Sequence, residues 1–312
     1  MSPFSHKTIL FLTSLWKTPK QDLLGKTALI SGGAEGIGFN LALTLGKCGM
    51  NVVIADIETA ALEKAESALK AEDISVLAIE MDVALHEDWV RTADAAEERF
   101  GKVHMLFNNA GVSGGIGAIE TLDDAGWRWT IDVNLMGVVY GANVLVPRMK
   151  AHGEASWLVN VASMAGMGGV PLAGAYTATK AAVVALTESW AQELASSNIK
   201  VSVLAPAFVK TRIHESYRNR QARYATDVQP TADVFQVAKA SSKAVANGID
   251  AQLLSDRVLE ALDQGELYIF THPNYKPITD ARGQNISDAF ARAAESPMLK
   301  EVLEQPTFGF GD

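Results

Sequence analysis

The stretch Ser31-Gly-Gly-Ala-Glu-Gly-Ile-Gly38 directly follows the short apolar run Thr27–Ser31 and precedes a helical pattern. Its glycines allow a tight turn and let a phosphate approach the helix N-terminus, where amide N–H groups and the helix dipole favour an anion. Glycine clusters also occur in ordinary turns, but a position between strand and helix favours a dinucleotide-binding loop. The loop residues expected to contact the cofactor are Ser31, Gly32, Gly36, Ile37 and Gly38.

Outward from this loop, short β-branched runs alternate with longer amphipathic stretches. The predicted strands are residues 27–31, 51–55, 75–80, 104–108, 156–161, 200–204 and 267–270, with helices over residues 60–71, 87–100 and 175–196. The strands are solidly apolar, as in sheets covered by helices on both faces. The pattern predicts an α/β protein with a doubly wound parallel sheet, the Rossmann fold, in a single domain.

We expect three parts along the chain. An N-terminal arm (residues 1–21) precedes the sheet domain (residues 22–273), and a C-terminal extension (residues 274–312) follows it. Residues 210–247, here called the excursion, are rich in Arg, Tyr and Gln without a strand signal. They are explained equally well as a lid over a bulky aromatic or anionic substrate and as a solvated loop. The extension predicts a helix over residues 287–304 and a loose end over residues 305–312.

Composition excludes several classes of protein. The chain has 312 residues, 48% hydrophobic and 20% charged, which is typical of a globular protein with a core. A formal charge of −9 disfavours nucleic acid and anionic membranes as partners. One cysteine, Cys48, rules out an internal disulfide. The histidines lack metal-ligand spacing, so no metal site is expected.

Two apolar stretches fall short of membrane or export signals. Residues 155–179 carry no charge, but Asn160, Pro171 and several glycines interrupt them, whereas a spanning helix needs about 20 predominantly apolar residues. Residues 9–16 are apolar, but no small-residue cleavage site follows them. We therefore expect a cytoplasmic protein that does not act at a membrane.

Asp56 ends the second predicted strand, where a carboxylate binds the adenosine ribose hydroxyls of a dinucleotide. Taken alone, it is about as well explained as a cap of the next helix. With the glycine loop beside it, Asp56 favours NAD, because a carboxylate repels the additional phosphate of NADP. Ala34 and Glu35 also stand where an NADP-binding protein needs a cation.

Tyr176 and Lys180 are four residues apart at the start of a predicted helix and so share one helical face. A nearby ammonium stabilises phenolate, which makes Tyr176 a candidate base although the reference pKa of tyrosine is about 10. Ser163 follows the fifth strand, at the edge where open parallel sheets bind ligands. Taken one at a time, these residues have an equally good ordinary explanation. Tyr176 and Lys180 can be a chance pair on a helix, and Ser163 can be an ordinary turn residue.

Together these motifs resemble the short-chain dehydrogenase/reductase family over residues 22–211. The resemblance is carried, in the family's order and usual spacing, by the glycine loop, Asp56, Asp82-Val83, Asn108-Asn-Ala-Gly111, Asn134, Ser163, the Tyr176/Lys180 pair and the stretch from Pro206 to Thr211. It implies an NAD-dependent oxidoreductase that interconverts a secondary alcohol and a ketone, with a small-molecule substrate that is bulky or aromatic. It also implies a homo-oligomer, dimer or tetramer.

The resemblance implies a role for each residue. Tyr176 is the expected general acid/base, and Ser163 orients the substrate oxygen. Lys180 is expected to lower the tyrosine pKa and bind the nicotinamide ribose, while Asn134 holds a water that links Lys180 to solvent. The other residues expected to contact or support the cofactor are Asp82, Val83, Asn108, Asn109, Ala110, Gly111, Pro206, Val209 and Thr211, in addition to Tyr176 and Lys180.

The chain departs from the family pattern at three places. Ser31 replaces the usual Thr and keeps its hydroxyl, and Ala207 replaces the usual Gly. The ending Glu266-Leu-Tyr-Ile-Phe-Thr-His-Pro273 and the long extension replace the short ending that builds the family's tetramer. This ending resembles a bacterial subgroup that includes Cα-dehydrogenases of lignin-derived aryl ethers.

Two alternative functions remain. One is a 3-oxoacyl-thioester or steroid reductase/dehydrogenase, although the thioester enzymes usually use NADP, against which Asp56 argues. The other is a non-catalytic NAD-binding sensor, which we would expect to have lost the tyrosine or the lysine. The chain keeps Asn134, Ser163, Tyr176 and Lys180.

Overall fold

Seven parallel strands form the central sheet of the structure, a computed structural model that describes residues 20–226 and 232–306. The strands are β1 (Thr27–Ser31), β2 (Asn51–Asp56), β3 (Val76–Glu80), β4 (Met105–Asn108), β5 (Ser156–Val161), β6 (Ile199–Ala205) and β7 (Tyr268–Phe270). Their order across the sheet is β3-β2-β1-β4-β5-β6-β7, and every neighbouring pair is parallel. The predicted doubly wound parallel sheet is confirmed.

Helices connect the strands and cover both faces of the sheet. They are α1 (Lys20–Leu23), α2 (Gly36–Lys47), α3 (Thr59–Ala71), α4 (His86–Phe100), α5 (Asp124–Ile131), α6 (Gly137–His152), α7 (Gly174–Glu193), α8 (Ala232–Ala246), α9 (Ala251–Gln264) and α10 (Lys276–Ala294). A π-helical turn, Asp132–Met136, joins α5 to α6. Short 3-10 turns lie at Met164–Gly166, Ile213–Asn219, Ala222–Tyr224, Pro273–Tyr275 and Pro297–Leu299.

Alternate residues of each central strand enter two different cores. Ala28 and Ile30 of β1 pack with α2, α3 and α9 on one face, whereas Leu29 packs with α4 and α6 on the other. Successive side chains of a strand point to opposite faces of the sheet. Because both faces are covered, all five residues of β1 are buried, which explains the solid apolar runs in the sequence.

The excursion and the extension differ from their predicted forms. The excursion contains the helix α8 as well as two 3-10 turns. In the extension the helix spans Lys276–Ala294, so the predicted helix over residues 287–304 has wrong bounds. Pro277 is compatible with the first turn of a helix. Pro297 disfavours helical backbone at the preceding residue, which accounts for the end of α10.

The apolar segments take ordinary places in the fold. The uncharged residues 155–179 form β5, a 3-10 turn and the start of α7, so the prediction that they are not a spanning helix is confirmed. Within the described ranges, one helical run, Asp124–His152, is long and apolar enough to cross a membrane, and 56% of its apolar window is buried inside the protein. The predicted arm (all but its last two residues) and the end of the extension lie outside the described residues, and the three-part division of the chain stays a prediction.

Candidate active site

Three glycines of the loop, Gly32, Gly36 and Gly38, leave no room for a side chain. Gly32 and Gly36 have φ of +63° and +55°, a region that L-residues other than glycine rarely adopt. A methyl group on Gly38 would overlap the carbonyl oxygen of Gly32. The loop therefore presents bare backbone at the start of α2, which is the cradle that a phosphate group requires.

Ser31 and Asn109 tie the glycine loop to the segment that follows β4. The Ser31 hydroxyl accepts hydrogen bonds from the N–H groups of Asn109 and Ala110 at 3.0 and 3.1 Å, and it donates to the carbonyl of Phe107. The Asn109 side-chain amide donates to the carbonyls of Ser31 and Gly32 at 2.8 and 3.0 Å. The Ser31 hydroxyl thus joins β1 to the segment after β4, and its contact with the cofactor stays a prediction.

Asp56 has two structural partners of its own. One carboxylate oxygen accepts the Ala34 N–H in the glycine loop, and the other accepts the Glu58 N–H before α3, both at 3.1 Å. Burial raises the pKa of Asp56, while these two backbone N–H groups oppose the rise. The carboxylate therefore supports the turn toward α3 and stands beside the loop. A carboxylate has about four lone-pair sites, so it retains capacity for ribose hydroxyls.

Asp82 and Val83 follow β3 at the same edge of the sheet. Asp82 accepts the Ala84 N–H at 3.0 Å and forms an ion pair of 2.6 Å with Arg223 of the excursion. Val83 is buried, and its carbonyl accepts the indole N–H of Trp89 at 3.0 Å. These contacts fix the segment that the sequence assigned to the cofactor.

Asn108 is a core residue. Its amide donates to Asn160 Oδ1 at 2.9 Å and to the Val138 carbonyl, and Asn160 in turn donates to Thr187 Oγ1 at 3.0 Å. This network joins β4 and β5 to α6 and α7. The structure therefore gives Asn108 a supporting place, and Asn109 reaches the glycine loop.

Ser163, Tyr176 and Lys180 meet at the carboxyl end of β5. Ser163 lies beside Tyr176, close enough for its hydroxyl to lower the pKa of the phenol. The Lys180 ammonium lies 5.8 Å from the centroid of the Tyr176 ring and donates to the Val161 carbonyl at 2.8 Å. The four-residue spacing at the start of α7 thus places both side chains beside the serine.

Burial controls the protonation of this cluster. It raises the pKa of Tyr176, and the Ser163 hydroxyl acts in the opposite direction. Burial also lowers the pKa of Lys180 to about 8. At neutral pH the phenol therefore keeps its proton and the lysine is mostly charged. The ammonium of Lys180, taken alone, predicts a lowered pKa for Tyr176. The structure adds the effect of burial, which raises that pKa and favours the neutral phenol.

Asn134 lies in the π-helical turn, fully buried. Its side chain accepts the Val112 N–H at 2.8 Å and donates to the Val112 carbonyl at 3.0 Å. A methyl group on Gly111 would lie 3.4 Å from both Asn134 Oδ1 and Lys180 Nζ, so these three residues adjoin. Single π-helical turns occur often at functional sites, which agrees with the predicted place of Asn134.

The segment after β6 spans the site from the serine to the glycine loop. The Pro206 carbonyl accepts the Met164 N–H at 2.9 Å and the Ser163 hydroxyl at 3.4 Å. At its other end, Thr211 packs against Gly36, where an added methyl group would lie 2.9 Å from Thr211 Cγ2. Val209 between them is buried in the core.

The arginines of the excursion have partners that the sequence does not reveal. Arg218 pairs with Glu35 and with Glu58, each at 2.9 Å, and Arg212 pairs with Glu35 at 2.9 Å. Glu35 belongs to the glycine loop and Glu58 follows Asp56, so the excursion adjoins the predicted adenosine side. The pairs join residues up to 183 positions apart, and the acidic positions beside the loop were the only signal for them.

Comparison with known proteins agrees with this arrangement. The short chain dehydrogenase model matches residues 26–222. The chain therefore belongs to the short-chain dehydrogenase/reductase family.

Several relatives match most of the chain. It is 34% identical over 281 residues to the C alpha-dehydrogenase of Sphingobium sp. strain SYK-6, covering 89% of this chain and 90% of that protein. Among solved structures, a family member from Burkholderia phymatum in complex with NAD superimposes with a TM-score of 0.83 and 34% identity, covering 93% and 99% of the two chains. The apo form of LigD from Sphingobium sp. strain SYK-6 gives a TM-score of 0.71 and 31% identity, covering 85% and 97%. The predicted family and subgroup are confirmed.

Proposed function

We propose that this protein is an NAD-dependent oxidoreductase that interconverts a secondary alcohol and a ketone, with Tyr176 as general acid/base. The observation that carries the proposal is the cluster of Ser163, Tyr176 and Lys180 at the carboxyl end of β5, with the Lys180 ammonium 5.8 Å from the Tyr176 ring, at the sheet edge that also holds the glycine loop. A positioned phenol that exchanges a proton with the substrate oxygen is the acid/base group that such a reaction needs.

NAD is the cofactor that fits the residues present. The bare backbone of the glycine loop fits a pyrophosphate, and the Asp56 carboxylate beside it fits ribose hydroxyls. When bound, NAD supplies the hydride acceptor for alcohol oxidation or the hydride donor for ketone reduction. The solved NAD complex of the Burkholderia phymatum relative supports this assignment.

The protein's own residues then handle the proton. In alcohol oxidation the phenolate form of Tyr176, after loss of its proton to solvent, accepts the proton of the substrate hydroxyl, and in ketone reduction the neutral phenol donates a proton to the substrate oxygen. Ser163 holds the substrate oxygen through its hydroxyl. Lys180, whose pKa is about 8, stays mostly charged at neutral pH and stabilises negative charge on the phenol. Asn134 fixes Val112 and the backbone next to Lys180.

The proposed substrate is bulky or aromatic. Val170, which lies between Ser163 and Tyr176 in the sequence, is 44% exposed, and Phe208 after β6 is 40% exposed. Large apolar side chains exposed near polar catalytic groups are typical of a ligand site. The names of the relatives support a carbocyclic or aromatic alcohol, since they include a C alpha-dehydrogenase and a cyclohexanol dehydrogenase from Acinetobacter sp. strain SE19.

A steroid alcohol is the second candidate substrate. The chain is 36% identical over 237 residues to a 3-alpha-(or 20-beta)-hydroxysteroid dehydrogenase of Mycobacterium tuberculosis, covering 75% of this chain and 84% of that protein. Both candidate substrates use the same site and the same proton transfers. Only the comparison of turnover rates on a panel of alcohols therefore distinguishes them.

Replacing Tyr176 with Phe removes the phenol and keeps the ring. We expect kcat to fall roughly 10²–10⁴-fold, the usual contribution of a general acid/base, with little change in NADH affinity or unfolding free energy. Because the pKa of Tyr176 is raised, wild-type oxidation should also become faster as the pH rises. The measurements are kcat, NADH fluorescence titration and urea unfolding. Retention of more than a tenth of kcat would remove Tyr176 from the mechanism.

Replacing Asp56 with Asn removes the charge and keeps one of the two oxygens, so the variant can accept the N–H of Ala34 or of Glu58 but not both. We expect weaker NAD binding and a smaller preference for NAD over NADP, because the amide does not repel a phosphate. The ratio of kcat/KM for the two cofactors is the measurement, with Glu80→Gln at the end of β3 as a matched control. An unchanged ratio would mean that Asp56 only supports the turn.

The protein is also proposed to be a homo-oligomer, with α10 as a contact face. No residue of α10 is buried, and helices rely mostly on packing for stability. Phe290 on α10 is 74% exposed and Met298 after it is 89% exposed. A second copy is the proposed occupant, because the charged residues of α10 are of mixed sign, whereas membrane-surface helices are rich in Lys and Arg.

Replacing Phe290 with Glu tests this face. Specific dimers bury about 800 Å² per partner, and the loss of a large aromatic in favour of a charge should shift the protein toward smaller species in sedimentation. Ala291→Glu, one residue further along the exposed helix, is the matched control and should not change the assembly. A monomeric wild-type protein, or a Phe290→Glu variant that assembles normally, would contradict the proposal.

A cytoplasmic location, with no nucleic acid or membrane partner, completes the proposal. A formal charge of −9 and a single cysteine support it. Cell fractionation tests this part, and recovery of the protein in a membrane or secreted fraction would contradict it.

A further inference from the structure

His272, which follows β7, holds the segment after β6. The backbone N–H of Ala207 donates to its Nδ1 at 3.2 Å, and its Nε2 lies 3.1 Å from the carbonyl oxygen of Phe208. The Thr271 hydroxyl lies 2.8 Å from Nδ1. One imidazole ring therefore contacts two successive residues of the segment. Both contacts are made with main-chain groups, so they do not depend on the side chains at positions 207 and 208.

The partners determine the protonation state of this ring. A backbone N–H can only donate and a carbonyl oxygen can only accept. Nδ1 must therefore be without a proton, and Nε2 must carry one. Only this neutral tautomer satisfies both contacts. A doubly protonated ring would turn the N–H of Nδ1 toward the N–H of Ala207, and that hydrogen bond would be lost.

The same segment is connected to the catalytic serine. The Pro206 carbonyl, one residue before Ala207, accepts the Met164 N–H at 2.9 Å and the Ser163 hydroxyl at 3.4 Å. Residues 206–208 thus lie between the serine on one side and His272 on the other. The group that His272 holds and the group that Ser163 contacts therefore belong to adjacent residues of one segment.

We infer that neutral His272 is a positioning residue, which holds residues 206–208 in the arrangement that orients Ser163 and closes the cofactor side, and which releases them when it is protonated. The inference rests on the proposed function. It adds a residue outside the stretch on which the family resemblance rests.

The surroundings of His272 set the direction of its pH dependence. In the described part of the chain, the hydrogen bonds of its ring involve Ala207, Phe208 and Thr271, and its aromatic contact is with Tyr275, whose ring centroid lies 5.9 Å away. None of these groups is charged at neutral pH. Burial lowers the pKa of His272, against the hydrogen bond to Phe208. The ring is therefore neutral at neutral pH, and the contacts are lost as the pH falls below the ordinary histidine pKa of about 6.5.

Two substitutions separate positioning from a structural role. His272→Gln keeps an acceptor oxygen and a donor N–H on one planar group that does not titrate, and His272→Ala removes both. The experiment measures kcat/KM and the Kd for NADH from about pH 5 to about pH 9, which spans the titration of histidine. Ring nitrogen NMR shifts of the wild type report the tautomer without any ligand.

In ketone reduction, where Tyr176 acts in its neutral form, we expect an acidic loss of kcat/KM and of NADH affinity in the wild type that is absent in His272→Gln. His272→Ala should have a kcat/KM ten- to a hundredfold lower across the range, the size of effect that a misplacement of about 1 Å produces. An unchanged acidic loss in His272→Gln, or a ring with its proton on Nδ1 at neutral pH, would overturn the inference. NADH binding that depends on His272 without turnover of any alcohol would overturn the proposed function and leave the positioning role intact.

Discussion

All seven strands of the sheet run in one direction, so every segment that follows a strand begins at the same edge. This constraint gathers residues from distant parts of the sequence without any further device. Ser31 follows from β1, Asp56 from β2, Asn109 from β4 and Ser163 from β5. The chemistry proposed for the protein depends on this convergence, because the glycine loop and the proposed acid/base pair, Tyr176 and Lys180, lie far apart in the sequence.

Hydrogen bonds between side chains and backbone convert this convergence into a fixed site. The Ser31 hydroxyl and the Asn109 amide join two loops, and Asn134 holds Val112 through both ends of its amide. His272 extends the same principle to the segment after β6, with a ring that satisfies two main-chain groups. A buried polar group costs free energy unless it is paired, so these partners permit few other arrangements of the loops.

Local patterns predicted most of the sheet and the placement of Tyr176 and Lys180 on one helical face, because strand burial and helix spacing are properties of neighbouring residues. The predicted strand over residues 51–55 differs from β2 only by Asp56. Contacts between residues far apart in the sequence could not be predicted from local patterns. Arg218 pairs with Glu35, 183 positions away, and His272 contacts Ala207, 65 positions away. The bounds of α10 were missed because its residues have no buried face on which a periodic pattern depends. Asp56 is predicted either to bind ribose or to cap the next helix. In the structure Glu58 occupies the N-cap of α3, and the Asp56 carboxylate instead accepts the N–H groups of Ala34 and Glu58.

The central claim is that this site oxidises a secondary alcohol with NAD as the hydride acceptor. The most direct measurement incubates the purified protein and NAD with a panel of bulky benzylic, alicyclic, steroid and terpenoid secondary alcohols, and quantifies NADH and ketone together. The account predicts that NADH and the matching ketone accumulate in equal amounts with at least one of these alcohols. Saturable NAD binding with no NADH formed from any alcohol on the panel would contradict it and favour a non-catalytic NAD-binding protein.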